Sequence, residues 1–328
     1  MKRILVCGAG GFIGYHLVNF LKYYDFEVIG VDLKLPEFGK SEADRFILGD
    51  LRDQEFCSKI FRFTRGVKYF DEVYQLAADM GGAGYIFTKD NDANVMTNSV
   101  LINLNVLRYY ESYEKIFYSS SACIYPEYNQ LDPDNPNCAE SSAYPAAPDS
   151  EYGWEKLFSE RLYLAYNRNN NLPVRIARFH NVYGPFGSWD NGKEKAPAAI
   201  CRKIAMAKDG TSVEIWGDGK QTRSFTFIDD CLVGMRKFMD SNFIGPVNIG
   251  SDEMISINDL TRLVINISGK NLKINNVEGP LGVRGRNSDN KLIYEKLGWK
   301  PIVKLEEGMP ILYSWIDKQV KEKYSGGK

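Results

Sequence analysis

The chain of 328 residues has only two histidines, His16 and His180, which excludes a metal centre built from several imidazoles. It has no apolar run of the about 18 residues that a membrane-crossing helix requires. Its six cysteines, Cys7, Cys57, Cys123, Cys138, Cys201 and Cys231, make no C-x-x-C pair and no framework spacing. Reduced thiols in a cytoplasm are therefore expected. Charge of neither sign dominates: 41 Lys and Arg stand against 42 Asp and Glu, a net −1. No global field is left to recruit nucleic acid or an anionic membrane. Lys2 and Arg3 open the chain as a secretion signal would, but the apolar run ends at Cys7 in a glycine loop, as a first strand does. There is no internal repeat.

What is present alternates. An apolar stretch at 3–7 precedes helical periodicity at 12–23 and a second strand at 27–31 that ends at Asp32. Further strands are expected at 45–48, 72–76, 115–118 and 174–179, with helices at 54–63, 94–113 and 151–170. That order predicts an α/β fold: a Rossmann-type doubly wound parallel sheet with helices on both faces. From Tyr183 the texture changes to mixed Gly, Pro, Trp and charge. A helix is expected at 197–208, a helix at 225–239 returning to the sheet, and a last strand at 246–249. Helices at 257–268, 289–297 and 306–322 and a frayed tail at 325–328 complete the reading. Residues 1–182 plus about 222–250 would form the dinucleotide-binding domain. Residues 183–221 plus 251–328 would form a smaller mixed α/β lobe for substrate.

The glycine loop is Gly8-x-x-Gly11-Phe12-Ile13-Gly14, set between strand and helix. Its first glycine permits a tight turn, its second lets backbone approach a pyrophosphate, and its third lets helix pack on strand. The helix start beyond offers N–H groups to phosphate. Asp32 at the end of the second strand accepts from ribose hydroxyls and repels a 2′-phosphate, which favours NAD over NADP. Asp50 and Leu51 follow the third strand, where the adenine edge would lie. Ala77 and Ala78 follow the fourth and are small enough to let backbone face the cofactor.

Tyr152 and Lys156 lie four apart on an expected helix and so share a face. An ammonium beside a phenol lowers its pKa from about 10, as a base for an alcohol proton requires. Ser121, at a strand end, can donate to the same substrate oxygen. This triple, with Phe179-His180-Asn181-Val182-Tyr183-Gly184-Pro185 and Arg223-Ser224-Phe225-Thr226-Phe227-Ile228-Asp229-Asp230, resembles the extended short-chain dehydrogenase/reductase superfamily of NAD-dependent nucleotide-sugar epimerases and dehydratases. The resemblance covers the whole chain. One departure is that the family asparagine of the helix near Ser99 is replaced, with Asn98 beside it.

Dehydratases of that superfamily carry a carboxylate two residues after the serine; here Cys123 stands there. Taken alone, a free cysteine is a small apolar residue. Beside a 4-keto sugar, a thiol can remove the acidified proton at C3 or C5. Ser120-Ser121-Ala122-Cys123-Ile124-Tyr125-Pro126-Glu127, Glu194-Lys195-Ala196-Pro197-Ala198-Ala199, Trp216-Gly217-Asp218-Gly219-Lys220-Gln221-Thr222-Arg223 and Gly282-Val283-Arg284-Gly285-Arg286-Asn287-Ser288-Asp289 resemble the branch of this family that epimerises GDP-hexoses at C3 and C5. That resemblance implies Cys123 and Lys195 as an acid/base pair on opposite faces of the sugar. Read alone, Lys195 belongs to the charge run Gly192-Lys193-Glu194-Lys195. The resemblance further implies Lys203, Arg223 and Arg286 on the diphosphate, and Gly81, Asn181, Glu194, Ala196 and Gln221 around the GDP-sugar, in a homodimer. The epimerase-reductases of GDP-fucose synthesis share Ser-x-Cys-Ile-Tyr-Pro but pair the cysteine with a histidine and use NADPH; Lys195 and Asp32 argue against them. An epimerase of another nucleotide sugar, such as a GDP-heptose, stays open. A non-catalytic dinucleotide sensor would tend to have lost Tyr152 or Lys156.

Overall fold

The computed structural model describes residues 1–62, 67–279 and 282–325. Seven strands form one wholly parallel sheet: β1 (Arg3–Cys7), β2 (Glu27–Asp32), β3 (Arg45–Leu48), β4 (Phe70–Gln75), β5 (Tyr113–Ser121), β6 (Val174–Phe179) and, after the shorter β7 (Val182–Tyr183), β8 (Ser212–Trp216), β9 (Thr222–Ser224) and β10 (Thr226–Phe227), β11 (Val247–Ile249). Their order is β11-β6-β5-β4-β1-β2-β3. The chain leaves β1 toward β2 and β3, then crosses back to β4 on the other side of β1, which opens a crevice at the carboxyl ends of β1 and β4. Most β1, β2 and β6 positions are buried, as strands covered on both faces require.

The helices are α1 (Phe12–Lys22), α2 (Gln54–Phe61), α3 (Ala83–Ile86), α4 (Asp92–Arg108), α5 (Glu151–Asn170), α6 (Ala196–Met206), α7 (Ile228–Asp240), α8 (Ile257–Ser268), α9 (Lys291–Leu297) and α10 (Leu305–Ser325). One sheet face packs on α1 and α7, with α6, α8 and α10 continuing that core through Ile200, Leu260 and Leu312. The other packs on α2, α4 and α5 around Phe61, Leu107 and Tyr163. Local sequence sets the helix ends. The Asp53 carboxylate accepts from the Glu55 N–H to start α2, and the Ser150 hydroxyl accepts from Gly153 to start α5. Gly269, at φ 68°, ends α8.

Some expected bounds move. The helix expected at 225–239 begins at Ile228, because Thr226–Phe227 pairs with Val182–Tyr183 as a two-residue strand. The helix expected at 94–113 stops at Arg108, and β5 already begins at Tyr113. Phe63, the last residue of the helix expected at 54–63, and residues 326–328 of the expected tail lie outside the described residues. The second lobe also holds β12 (Met254–Ser256), β13 (Lys273–Val277) and β14 (Gly285–Arg286). β13 pairs with β8, while β12 and β14 flank β9; the sequence marked none of these pairings.

Candidate active site

The crevice is a cavity of about 590 Å³ that runs from the glycine loop to the end of β5. Gly8, Gly11, Phe12, Ile13, Gly14, Asp32, Asp50, Leu51, Ala77, Ala78, Gly81, Ser121, Tyr152, Lys156 and Lys195 all line it. The glycines are sterically required. Gly8 has φ +85°, and a Cβ on Gly14 would lie 2.0 Å from the Gly8 carbonyl oxygen. Gly11 precedes α1 without any side-chain cap, so no side chain competes for the N–H groups of the first turn. The Asp32 carboxylate accepts from Gly10 N–H at 2.9 Å and Lys34 N–H at 3.2 Å, which fixes it at the rim. This cradle fits a dinucleotide.

Ser121 is the last residue of β5, and a 3₁₀ turn, Ala122–Ile124, carries Cys123 immediately beyond it. The Ser121 hydroxyl accepts from Cys123 N–H at 3.2 Å. α5 lies close against this turn because residue 153 is glycine; a Cβ there would sit 2.2 Å from the Cys123 carbonyl oxygen. Tyr152 consequently packs with Cys123, Met80 and Tyr85.

The expected lowering of the Tyr152 phenol by Lys156 is corrected: the protein's own groups hold it well above its ordinary value. Burial is the chief cause, the neighbouring Cys123 adds to it, and the Ser121 hydroxyl opposes it. Lys156 lies 5.7 Å from the Tyr152 ring centre and donates to the Ser119 carbonyl at 2.9 Å. Burial pulls its ammonium below the ordinary value, with Glu155 opposing.

Lys195 immediately precedes α6. Burial lowers its ammonium from the usual 10.5, with Cys123 opposing that lowering. The Lys195 loop is zipped to the loop after β4. Gly82 N–H donates to the Lys193 carbonyl at 3.0 Å, and the Lys193 ammonium stands 3.9 Å from the Tyr85 ring centre. Asn98 and Ser99, where the family asparagine is displaced, both hold Asp79 of that second loop: Asn98 donates to its carboxylate at 2.8 Å and Ser99 accepts its N–H at 3.1 Å. No imidazole competes for the acid/base role. His180 is buried against Asn248, and burial drops it to about 3.

The residues expected around the GDP-sugar are placed less directly. Arg286 is buried and its guanidinium fork is engaged at the cysteine. It donates to Gln130 at 2.5 Å, Cys123 Sγ at 3.1 Å and Asp149 at 3.1 Å. Arg223 donates to the Thr222 and Val283 carbonyls, and burial lowers it to about 10. Lys203 donates to the Glu214 carbonyl and stands 5.6 Å from the Trp216 ring centre. Gln221 donates to the Trp216 carbonyl, and Glu194 pairs with Arg202. Asn181 holds φ +45° and donates to the Ser224 carbonyl; Ala196 is the first residue of α6. Sequence reading missed Asp149 and Gln130. Both lie in the loop after Cys123, where polar residues carry no local signal of convergence.

The cradle, the Tyr-x-x-x-Lys helix beside a strand-end serine, and the sheet order together define a nicotinamide-dependent short-chain dehydrogenase/reductase. The chain belongs to the NAD dependent epimerase/dehydratase family, whose profile matches residues 4–250, and NAD is its cofactor. It is 48% identical over 329 residues to a GDP-mannose 3,5-epimerase of Arabidopsis thaliana, covering 99% of this chain and 85% of that one. Among solved structures it is similar to a UDP-glucose 4-epimerase of Thermotoga maritima with UDP-glucose (26% identity, TM-score 0.84, 97% and 99% of the two chains). It also resembles a UDP-glucuronic acid 4-epimerase of Bacillus cereus with UDP-glucuronic acid and NAD (28%, TM-score 0.79, 97% and 99%).

Proposed function

We propose that this chain epimerises GDP-D-mannose at C3 and C5, giving GDP-L-galactose and GDP-L-gulose. The observation that carries this reading is Cys123, two residues beyond Ser121 and in the apolar cluster of Tyr152, with Lys195 lining the same cavity as Ser121 and Tyr152. When bound, NAD would supply the hydride acceptor and donor for C4; Gly8, Gly11, Gly14 and the start of α1 would hold its pyrophosphate, and Asp32 would hold the adenosine ribose. Tyr152 removes the 4-hydroxyl proton, with Ser121 donating to the same oxygen and Lys156 supplying nearby positive charge. The resulting ketone acidifies the C–H bonds at C3 and C5. Cys123 and Lys195 then take a proton from one ring face and deliver one to the other. Residues about 183–221 plus 251–328 form the nucleotide-sugar lobe, with its Lys203 and, from the adjoining β9, Arg223 on the diphosphate side.

The protein acts as a homodimer in a reducing cytoplasm. α4 and α5 pack together and leave Leu101, Leu104, Trp154 and Phe158 between 39% and 49% exposed, an apolar face suited to a second copy. The six cysteines are all unpaired.

Incubation with GDP-mannose in D₂O, followed by NMR of the sugar, tests the reading. Wild type should place deuterium at C3 and C5. Cys123→Ser and Lys195→Ala should each lose about 10²–10⁴-fold in that exchange while still giving a transient NADH absorbance. Exchange in Cys123→Ser at the wild-type rate sinks the acid/base assignment.

A further inference from the structure

A buried ion pair at the carboxyl end of the sheet is not used by any of the roles above. Arg178 on β6 stands in register beside Ser120 on β5. Its side chain is 3% exposed and that of its partner, Glu160 on α5, is 2% exposed. The fork is bidentate: Nε donates to Oε1 at 2.9 Å and Nη2 to Oε2 at 2.8 Å. Both ends of this pair reach into the segment that carries the chemistry. The Ser120 hydroxyl donates to Glu160 Oε1 at 2.5 Å. Arg178 Nη1 donates to the Tyr125 hydroxyl at 3.2 Å, and that hydroxyl donates to Asn248 at 2.7 Å.

Ser120 and Tyr125 bracket Ser121 and Cys123. Glu160 follows Lys156 by one helical turn and Tyr152 by two, on the same face of α5. One ion pair thus joins the helix carrying the phenol, the strand carrying the serine and the turn carrying the thiol. Buried pairs are poor sources of net stability, because desolvation offsets the attraction; their better-attested use is to specify one arrangement among several. A pair that served packing alone would need no bonds to the residues on either side of Cys123.

We infer that Glu160 and Arg178 are positioning residues. Through Ser120 and Tyr125 they fix Cys123 relative to Tyr152, so that the thiol meets a ring carbon once C4 has been oxidised. This rests on the proposed 3,5-epimerisation. The test uses Tyr125→Phe, since Arg178→Met can fail by misfolding; the phenylalanine keeps the ring and the Glu160–Arg178 fork and removes only the hydroxyl that accepts from Arg178 and donates to Asn248.

Two readouts are taken on the NAD-loaded variant. With GDP-mannose, deuterium exchange at C3 and C5 should fall on the order of 10²-fold, the usual result of misplacing a reacting group by about 1 Å, while transient NADH from C4 oxidation stays near wild type. Without sugar, iodoacetamide labelling of Cys123, the one cysteine of the six that is not buried, should change in rate when read by peptide mass spectrometry. Exchange and oxidation falling in parallel, neither falling, or labelling at the wild-type rate overturns the inference. Wild type inert toward GDP-mannose would instead sink the proposed activity, and labelling alone would then decide the positioning claim.

Discussion

The sheet holds two buried ion pairs on opposite faces and at opposite ends. Glu72 on β4 lies near the amino end, on the face packed by α1 and α7, and is paired in register with Ile4 and Lys115. It accepts from Arg236 of α7 at 2.5 and 2.9 Å and from Lys2 at 2.9 Å, with Lys115 at 3.4 Å. Glu160 and Arg178 lie at the carboxyl end, on the face packed by α5. The first carboxylate is surrounded by three cations, from α7, β5 and the residue just before β1, and none of them belongs to the candidate site. The second has one cation and one further bond, from Ser120 beside Ser121, while Arg178 donates also to the Tyr125 hydroxyl and the Glu140 carbonyl. The same chemistry therefore serves two ends: charge neutralised on all sides holds the fold, and charge bonded toward the cavity holds geometry.

The largest expected break between the two is thermodynamic. Arg236→Met strips the bidentate partner from a fully buried carboxylate, which costs about 3–5 kcal/mol. Urea unfolding should show that loss as a lower midpoint. In the folded fraction the ratio of C3/C5 exchange to C4 oxidation should remain that of wild type. A changed ratio would erase the distinction between the two ends.

Neither ion pair stood out in the sequence, although both left traces. A charged residue within a buried parallel strand, such as Arg178 in Val174–Phe179 or Glu72 in Phe70–Gln75, needs a partner. Glu160 continues the spacing of four set by Tyr152 and Lys156. What sequence lacks is the partner's identity, because Arg178 is 18 residues from Glu160 and Arg236 is 164 from Glu72. Much of the fold was legible for a local reason: β3, β6, α5 and α8 have the expected bounds because the apolar patterning lies within each segment, and capping serines, Ser150 and Ser256, stand immediately before the two helices. The lobe strands were not legible. β9, β12 and β14 are two or three residues long, and β8, although it alternates exposed and buried, pairs with β13 some sixty residues away. Cys123 was visible by its position after Ser121. Lys195 was hidden in a charge run, and only family resemblance singled it out. The Tyr152 phenol was read with the wrong sign because a four-residue spacing reports direction and not burial.

A second prediction, next in size, concerns acid. Burial pushes the Glu72 carboxyl up, but Arg236, Lys2 and Lys115 together outweigh it and hold it down at about 2 against an ordinary 4.5. A carboxyl lowered in the folded state contributes stability that is complete above about pH 4.5 and is lost as pH falls toward 2. The shift corresponds to ~3 kcal/mol. Unfolding free energy measured across that window should therefore decline in wild type, and Glu72→Gln should flatten the decline. An unchanged acid limb in Glu72→Gln would mean that other carboxyls carry it.

The smallest effect is the most discriminating, because it touches the carboxyl-end pair without removing a charge. Ser120→Ala deletes the hydroxyl that donates to Glu160 Oε1 and leaves the Arg178 fork in place. A hydrogen bond to a charged group contributes about 1.5–3 kcal/mol, so the stability loss should be less than that of Arg236→Met. Its catalytic signature should be the opposite of that variant's. Ser120 precedes Ser121, and without its anchor the end of β5 can shift relative to α5. C3/C5 exchange should then drop further than C4 oxidation, while NAD affinity, set at the glycine loop on β1, stays as it was. Stopped-flow absorbance at the NADH band and deuterium uptake, measured on the same preparation, give the two rates. If Ser120→Ala lowers the melting temperature and leaves the ratio of those rates untouched, the carboxyl-end pair is no different in kind from the one around Glu72.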